Sequence, residues 1–362
     1  MIEYNCKITL TPLEDYYFGG ERTFGELSDE KGRNYLAYSN PYPQQSGLLG
    51  LLRFLLLQEN ECLPLSNHSE KAKALIGEKS FHPESKVTNF GAIEEISPLL
   101  VSYGGVSLRI AHPLSQMELS WEKTGNCLWA NQSIPKVPFM PDFDPKMQYP
   151  DLLVDENQMA IPFGTVFQQA TQVGIQKGSK TKGFFKQQFY RFRDDGAFVF
   201  YARVKNVYVF KEEEYPVNLS DTIVFFGGEQ RQFRVRIESK VDDLPSFFSG
   251  DAGNKVCLLS DAFVYPSLFS YCDFALTDTN VFRAGIFPSG KFESKKESNK
   301  YHLLKKGSVL FANSAEDAER IADQITVGST QSGEGSEEKK KENENDLRHL
   351  TCVGFNHCFR EI

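Results

Sequence analysis

The chain is 362 residues long, 40% apolar and 24% charged, with a formal net charge of −8. That length accommodates two domains with separate buried cores, and the acidity excludes a protein that coats nucleic acid without specificity, since such binding rests on neutralising phosphates. No run of about 18 apolar residues occurs, and residues 1–6 lack the basic start and apolar centre of a signal peptide, so a soluble, cytoplasmic protein without a membrane partner is expected.

Residues 3–10 alternate Tyr4, Cys6, Ile8 and Leu10 with polar neighbours, the period of a half-buried strand. The strand leads to Phe18-Gly19-Gly20-Glu21-Arg22-Thr23-Phe24, a phrase that returns as Phe226-Gly227-Gly228-Glu229-Gln230-Arg231-Gln232-Phe233. A glycine pair beside arginine reads either as a strand-to-loop turn or as backbone laid against an anion. Residues 44–58 have the length and apolar density of a helix, and Gly47 and Gly50 within it predict close packing of its first turns against backbone or a ligand. Residues 62–85 are polar and predict a peripheral excursion with a short helix over 70–76. The prolines at 135, 138, 141, 145 and 150 predict an irregular loop over 133–150.

Apolar, aromatic runs at 161–167, 184–192, 197–204 and 208–210 predict a meander of antiparallel strands, with Asp194-Asp195-Gly196 as a hairpin turn. A second unit opens near Tyr215, with strands at 222–226, 233–238 and 255–259, and another over 303–311 interrupted by a turn at Lys305-Lys306-Gly307. Ser314 caps an amphipathic helix over 315–325. Residues 328–346 are almost wholly polar and predict disorder, and 350–359 predict a closing strand. This pattern fits an α+β fold of two ferredoxin-like (RRM-like) domains with antiparallel sheets and irregular insertions, divided as 1–214 and 215–362.

The chemistry-bearing segment is 173–193, which holds Lys177, Lys180, Lys182, Lys186, Arg191 and Arg193 and no acid, interleaved with five aromatic rings. Cations among rings suit phosphate contact beside base stacking; the alternative is a solvated loop followed by a core strand. The run Gly196 to Tyr201 partly resembles the aromatic strand of RNA-recognition domains, but Asp194 and Asp195 stand where a cation and glycine are expected. No P-loop or βαβ glycine fingerprint is present. The seven cysteines include no Cys-x-x-Cys pair, and Cys352, His357 and Cys358 have no common metal spacing, so neither metal nor cofactor is expected. Of the six histidines only His357, near Gly354, is placed like a site residue.

In this order the segments resemble the Cmr subunit three family, the RAMP-type subunit of type III-B CRISPR effector complexes. The likeness runs through Thr11-Pro12-Leu13, Gly19-Gly20-Glu21-Arg22, then Pro43, Ser46, Gly50 and Arg53 on the first helix, and Gln172-Val173-Gly174-Ile175 with its following aromatic strand. It continues through Gly227-Gly228-Glu229 with Arg231, Lys306-Gly307-Ser308-Val309, and Gly354-Phe355. Gln172 replaces the family's usual arginine, and Gln230 stands where a glycine is frequent. The resemblance implies a non-catalytic subunit that holds the repeat-derived 5′ handle of CRISPR RNA (crRNA) and docks to the large Cas ten subunit and the backbone RAMP subunits. It implies RNA contacts at Ser46, Arg22, Arg53, Arg231 and the cations of 173–193, with glycine turns at Gly19, Gly20, Gly227, Gly228, Gly307 and Gly354. Two alternatives stay open: a metal-independent endoribonuclease using His357 with a Tyr or Lys, and a protein-only adaptor.

Overall fold

The computed structural model describes residues 3–24, 35–64, 70–113, 117–124, 127–135, 150–176, 183–209, 213–241, 244–245, 248, 253–284, 299–328 and 346–361. Their fold is α+β, mostly antiparallel, with few helices. The main sheet has nine strands, and its path runs Ala160–Pro162, Leu152–Val154, Val106–Ala111, Leu100–Tyr103, Ala197–Lys205, Glu3–Pro12, Gln232–Ser239 and Thr222–Phe225, with Ile93–Ile96 also joined to Ala197–Lys205. The opening strand matches its predicted period, since Cys6, Ile8 and Leu10 are fully buried. Ala197–Lys205 is buried on both faces because Phe198, Phe200, Ala202 and Val204 enter the main core while Val199 and Tyr201 meet a second core shared with the C-terminal sheet. Two covered faces explain its nearly continuous apolar run.

Helix Gln45–Glu59 lays Leu48, Leu52, Leu55 and Leu56 into the main core. Neither of its glycines packs closely against backbone. A Cβ at Gly47 would make ordinary contact with Phe226 at 3.7 Å, and one at Gly50 would meet nothing within 4 Å. The leucine face carries this helix and tolerates both. Helix Glu70–Ile76 forms as predicted, but its segment is not peripheral: Leu75 joins the main core and the Phe81 ring stacks on Phe355 at 5.6 Å. Its polar composition belongs to one face only.

A four-stranded sheet follows the order Phe167–Gln176, Gly183–Phe192, Tyr35–Asn40, Phe18–Phe24, with the Gly183–Phe192 to Tyr35–Asn40 pairing parallel. The run predicted as one strand at 161–167 divides at Pro162 into Ala160–Pro162, the helical turn Phe163–Val166 and the start of Phe167–Gln176. Asp194-Asp195-Gly196 is not a hairpin turn, because its flanking strands lie in different sheets. It is a corner. Asp194 has φ 49°, and the Phe192 ring covers Gly196 so closely that a Cβ there would lie 2.1 Å from it. Phe192 and Phe198, on either side of the corner, pack edge to face at 4.9 Å.

The C-terminal sheet runs Cys272–Leu276, Val309–Ala312, Lys255–Leu258, Cys358–Glu361, covered by helix Ala315–Thr326 through Ala318, Ile321 and Ile325. The turn at 305–307 is present and separates Asn299–Leu304, paired with Thr279–Ala284, from Val309–Ala312. The closing strand is shorter than 350–359. A helical turn occupies Arg348–Thr351, and Asn356, at φ 59°, is held out of strand geometry by its side-chain amide, which accepts from Phe263 N and donates to the carbonyls of Phe263 and Ile325.

The predicted loop over 133–150 begins later, since Cys127–Pro135 is a strand paired with Met117–Thr124, and 136–149 lie outside the described residues. So do 329–345, on which the expectation of disorder falls. Val207–Val209 pairs with Glu213–Tyr215 across the 214/215 position, and Gln232–Ser239 pairs with Glu3–Pro12. No described helix is long and apolar enough to cross a membrane.

Candidate nucleic-acid interface

The two glycine-pair phrases meet in space. Gly228 N donates to Tyr17 O at 2.8 Å, and the Phe18 and Phe226 rings lie 5.5 Å apart. The second copy turns tightly, with Gly227 at φ 81° and a Cβ position 2.6 Å from Tyr17 O. Its glycines are thus required by backbone approaching backbone. The first copy is no turn: it lies in strand Phe18–Phe24 and bulges between Gly19 and Arg22. Gly20 faces Tyr38 O, 2.6 Å from its Cβ position, whereas Gly19 has open space.

Arg231 closes this junction. Its Nη1 donates to Glu14 Oε2 at 2.7 Å, and its guanidinium lies 4.6 Å from the Phe189 ring centroid. That hydrogen bond, with a second from Gln232 N, holds the Glu14 carboxyl below the usual carboxylate range. Arg191 pairs with the next residue, Asp15, at 3.6 Å, and Gln187 donates to Glu229 at 3.1 Å. Strand Gly183–Phe192 therefore docks on both the 14–18 segment and the second glycine loop.

The same strand forms a long antiparallel hairpin with Phe167–Gln176. Its far half is wet, with Thr171, Gln172, Val173 and Lys186 exposed, and Phe185 folds its ring over the cross-strand Gly174. Lys177, Lys180 and Lys182 belong to the segment joining the two strands, outside the described residues; so does the side chain of Arg22. At the hairpin's base Arg193 is exposed and lines an open hollow of about 570 Å³ with Phe163, Gln169, Tyr190 and Lys305. Pro41, Asp151 and Lys305 also border a second cavity of about 290 Å³, which adds Tyr42, Asp261, Asp278, Asn280 and Lys306. The two hollows form one groove.

Lys306 sits on the rigid turn before Gly307. Gly307, at φ 86°, has its Cβ position 3.1 Å from the backbone of Ala111 and His112, and Lys306 N donates to Asp261 Oδ1 at 2.9 Å. The Lys306 ammonium lies 4.3 Å from the Tyr42 ring centroid, and burial pulls its pKa down against the pull of Asp261 and Asp151. Burial and, next, Asp151 push the Tyr42 phenol well above its ordinary value. The cavity and its wall residues were not singled out from sequence, although Lys306-Gly307 marked the turn.

Other predicted residues lie elsewhere. Arg53 donates to Lys79 O at 2.8 Å, lies 5.3 Å from the Phe90 ring, and has its pKa lowered by burial. Ser46 is half-buried in the first turn of its helix. Gly354 packs under Gln45, whose Nε2 donates to Gly354 O at 2.7 Å. His357 is held rather than poised, with Nε2 3.1 Å from Thr351 O, its backbone N donating to Ser260 Oγ, and burial lowering its pKa.

No protein-family model and no curated protein sequence matches the chain. Among solved structures, a chain of the type III-B Cmr-beta bound to cognate target RNA and AMPPnP aligns at 14% identity and TM-score 0.47, covering 96% of this chain and 94% of that one. A chain of the Csm3-Csm4 subcomplex of the type III-A CRISPR-Cas interference complex aligns at 12% identity and TM-score 0.35, covering 85% and 93%. Both likenesses are faint in sequence and partial in fold.

Proposed function

We propose that the chain is a non-catalytic structural subunit of a type III-B CRISPR RNA-guided effector complex. In this role it binds the repeat-derived 5′ handle of crRNA and docks to the large Cas ten subunit and the backbone RAMP subunits. The observation that carries the RNA contact is the hairpin 167–192. It exposes Lys186, carries three more lysines in its joining segment, and ends at Arg193 in a groove with aromatic walls. The subunit assignment rests on the ordered sequence resemblance. On this reading guide pairing reads the target while the protein fixes the guide's end through phosphates and shape. The two ferredoxin-like units, 1–214 and 215–362, belong to the same proposal.

Arg53 and Arg231, engaged with a carbonyl and a carboxylate, hold the fold in this reading, and the hairpin cations meet RNA. The test replaces Lys177, Lys180, Lys182 and Lys186 together with alanine and titrates handle RNA at several salt concentrations. Each lost phosphate contact lowers the slope of log affinity against log salt by about 0.7, so a fall of up to about 3 is expected. Unchanged affinity and slope would refute the contact. Sequencing the RNA that co-purifies with the tagged chain tests the assembly: short RNAs sharing one repeat-derived 5′ segment, beside a large Cas subunit, are expected.

A further inference from the structure

The smaller cavity has a polarity that phosphate contact does not explain. Three aspartates and two lysines line it, so it carries a net negative charge and disfavours a phosphate. Most of its acid is already committed. Asp151 accepts from Lys305 Nζ at 2.8 Å, and Asp261 accepts from Lys306 N and from Asn280 Nδ2, also at 2.8 Å. Asp278 is different, because its side chain is 58% exposed and its nearest cation, Lys305, is 4.0 Å away. Asn280 spends its amide nitrogen on Asp261 and keeps its oxygen as an acceptor. Lys306 has no carboxylate within ion-pair distance among the described residues and offers its ammonium over Tyr42.

The wall thus presents acceptors at Asp278 and Asn280 and a cationic donor at Lys306, on a turn fixed by backbone bonds to Leu258 and His112. A flat ring with N–H donors on one edge and carbonyl or ring-nitrogen acceptors on another complements that arrangement. The cavity opens across Pro41 and Lys305 into the hollow where Tyr190, Phe163 and Arg193 can receive the sugar-phosphate chain. We propose that the cavity holds one unstacked nucleobase of a bound single-stranded RNA, with guanine the best fit. Guanine offers its N1–H and N2–H edge to Asp278 and its O6 and N7 to Lys306. The proposal rests on the RNA-binding reading above and adds a base preference to it.

Fluorescence anisotropy with the full chain and short RNAs of one length, with and without a single guanine, tests it. The guanine-containing strand is expected to bind roughly 10-fold tighter. Asp278→Asn and Lys306→Met are each expected to remove that preference, read as the ratio of the two strands' affinities. Asp278→Asn alters an exposed side chain, so it decides the matter if Lys306→Met does not fold. Equal binding of the two strands, or a preference that survives Asp278→Asn, overturns the base pocket and leaves the RNA-binding reading standing. No binding of either strand at low salt overturns both.

Discussion

Gly227 and Gly19 occupy matching places in the two copies of the glycine phrase, yet only one is constrained by its surroundings. Gly227 has φ 81° and Tyr17 O at 2.6 Å from its Cβ position, while Gly19 has no positive φ and a Cβ there would meet nothing within 4 Å. Gly227→Ala is therefore expected to lower the unfolding free energy by about 2 kcal/mol through backbone strain and displacement of Tyr17. Gly19→Ala is expected to change it by less than about 0.5 kcal/mol. Urea unfolding midpoints of the two variants check this, and equal losses would contradict the geometry. The phrase itself was visible in the sequence. That its copies touch, and that Arg231 is spent on Glu14, was not, because both depend on partners more than 200 positions away.

Among the elements, the helix Ala315–Thr326 was the most readable. Ser314 Oγ accepts from Asp317 N at 3.1 Å, as Ser before an acidic first turn predicts. Ser314→Ala is expected to cost about 1 kcal/mol. Arg320→Ala, which breaks surface pairs with Glu316 and Asp317 and a ring contact with Tyr271 at 6.0 Å, the limit of its reach, is expected to shift stability by less than about 0.5 kcal/mol. Thermal melts of both variants measure the difference. The strands Ile93–Ile96, Val106–Ala111 and Leu152–Val154 escaped sequence reading because each is short, and their pairing partners rather than their own periods make them strands. The corner at 194–196 was misread for a related reason: a good turn sequence does not say whether the next strand returns to the same sheet.

For the whole molecule, buried histidines set the response to acid. Burial lowers the pKa of His112, against Asp278 and Asp151 and with Lys305, that of His349, against the Pro83 carbonyl and Asp346, and that of His357, against the Thr351 carbonyl and Glu95. The unfolded chain takes up protons near pH 6.5 that the folded chain refuses, so stability is complete above that value and falls as pH drops below it, until the depressed folded values are reached. Carboxyls held low, such as Glu14, stay ionised in this window; their stabilisation is present throughout it and is lost only at lower pH. Urea midpoints should fall between pH 7.5 and 5.5, and fall less in His112→Asn; a flat profile in the wild-type chain would contradict the burial of these three rings. The order of the predicted strands and helices signalled the α+β class. The groove stayed hidden because its walls come from residues 41–42, 151, 163, 190, 193, 261, 278–280 and 305–306, which no local pattern joins.

Glu3–Pro12 sits between Ala197–Lys205 and Gln232–Ser239 in the main sheet. In the time of synthesis this is a long delay. The strand is made about 230 residues before its second neighbour is complete, which at 5–20 residues per second is on the order of ten to fifty seconds on the ribosome. Until Ala197–Lys205 is made, Cys6, Ile8 and Leu10 have no sheet to enter and both strand edges are open to other nascent chains; one edge stays open until Gln232–Ser239 follows. A message cut short before position 205 makes that condition permanent, leaving the strand with two adhesive edges.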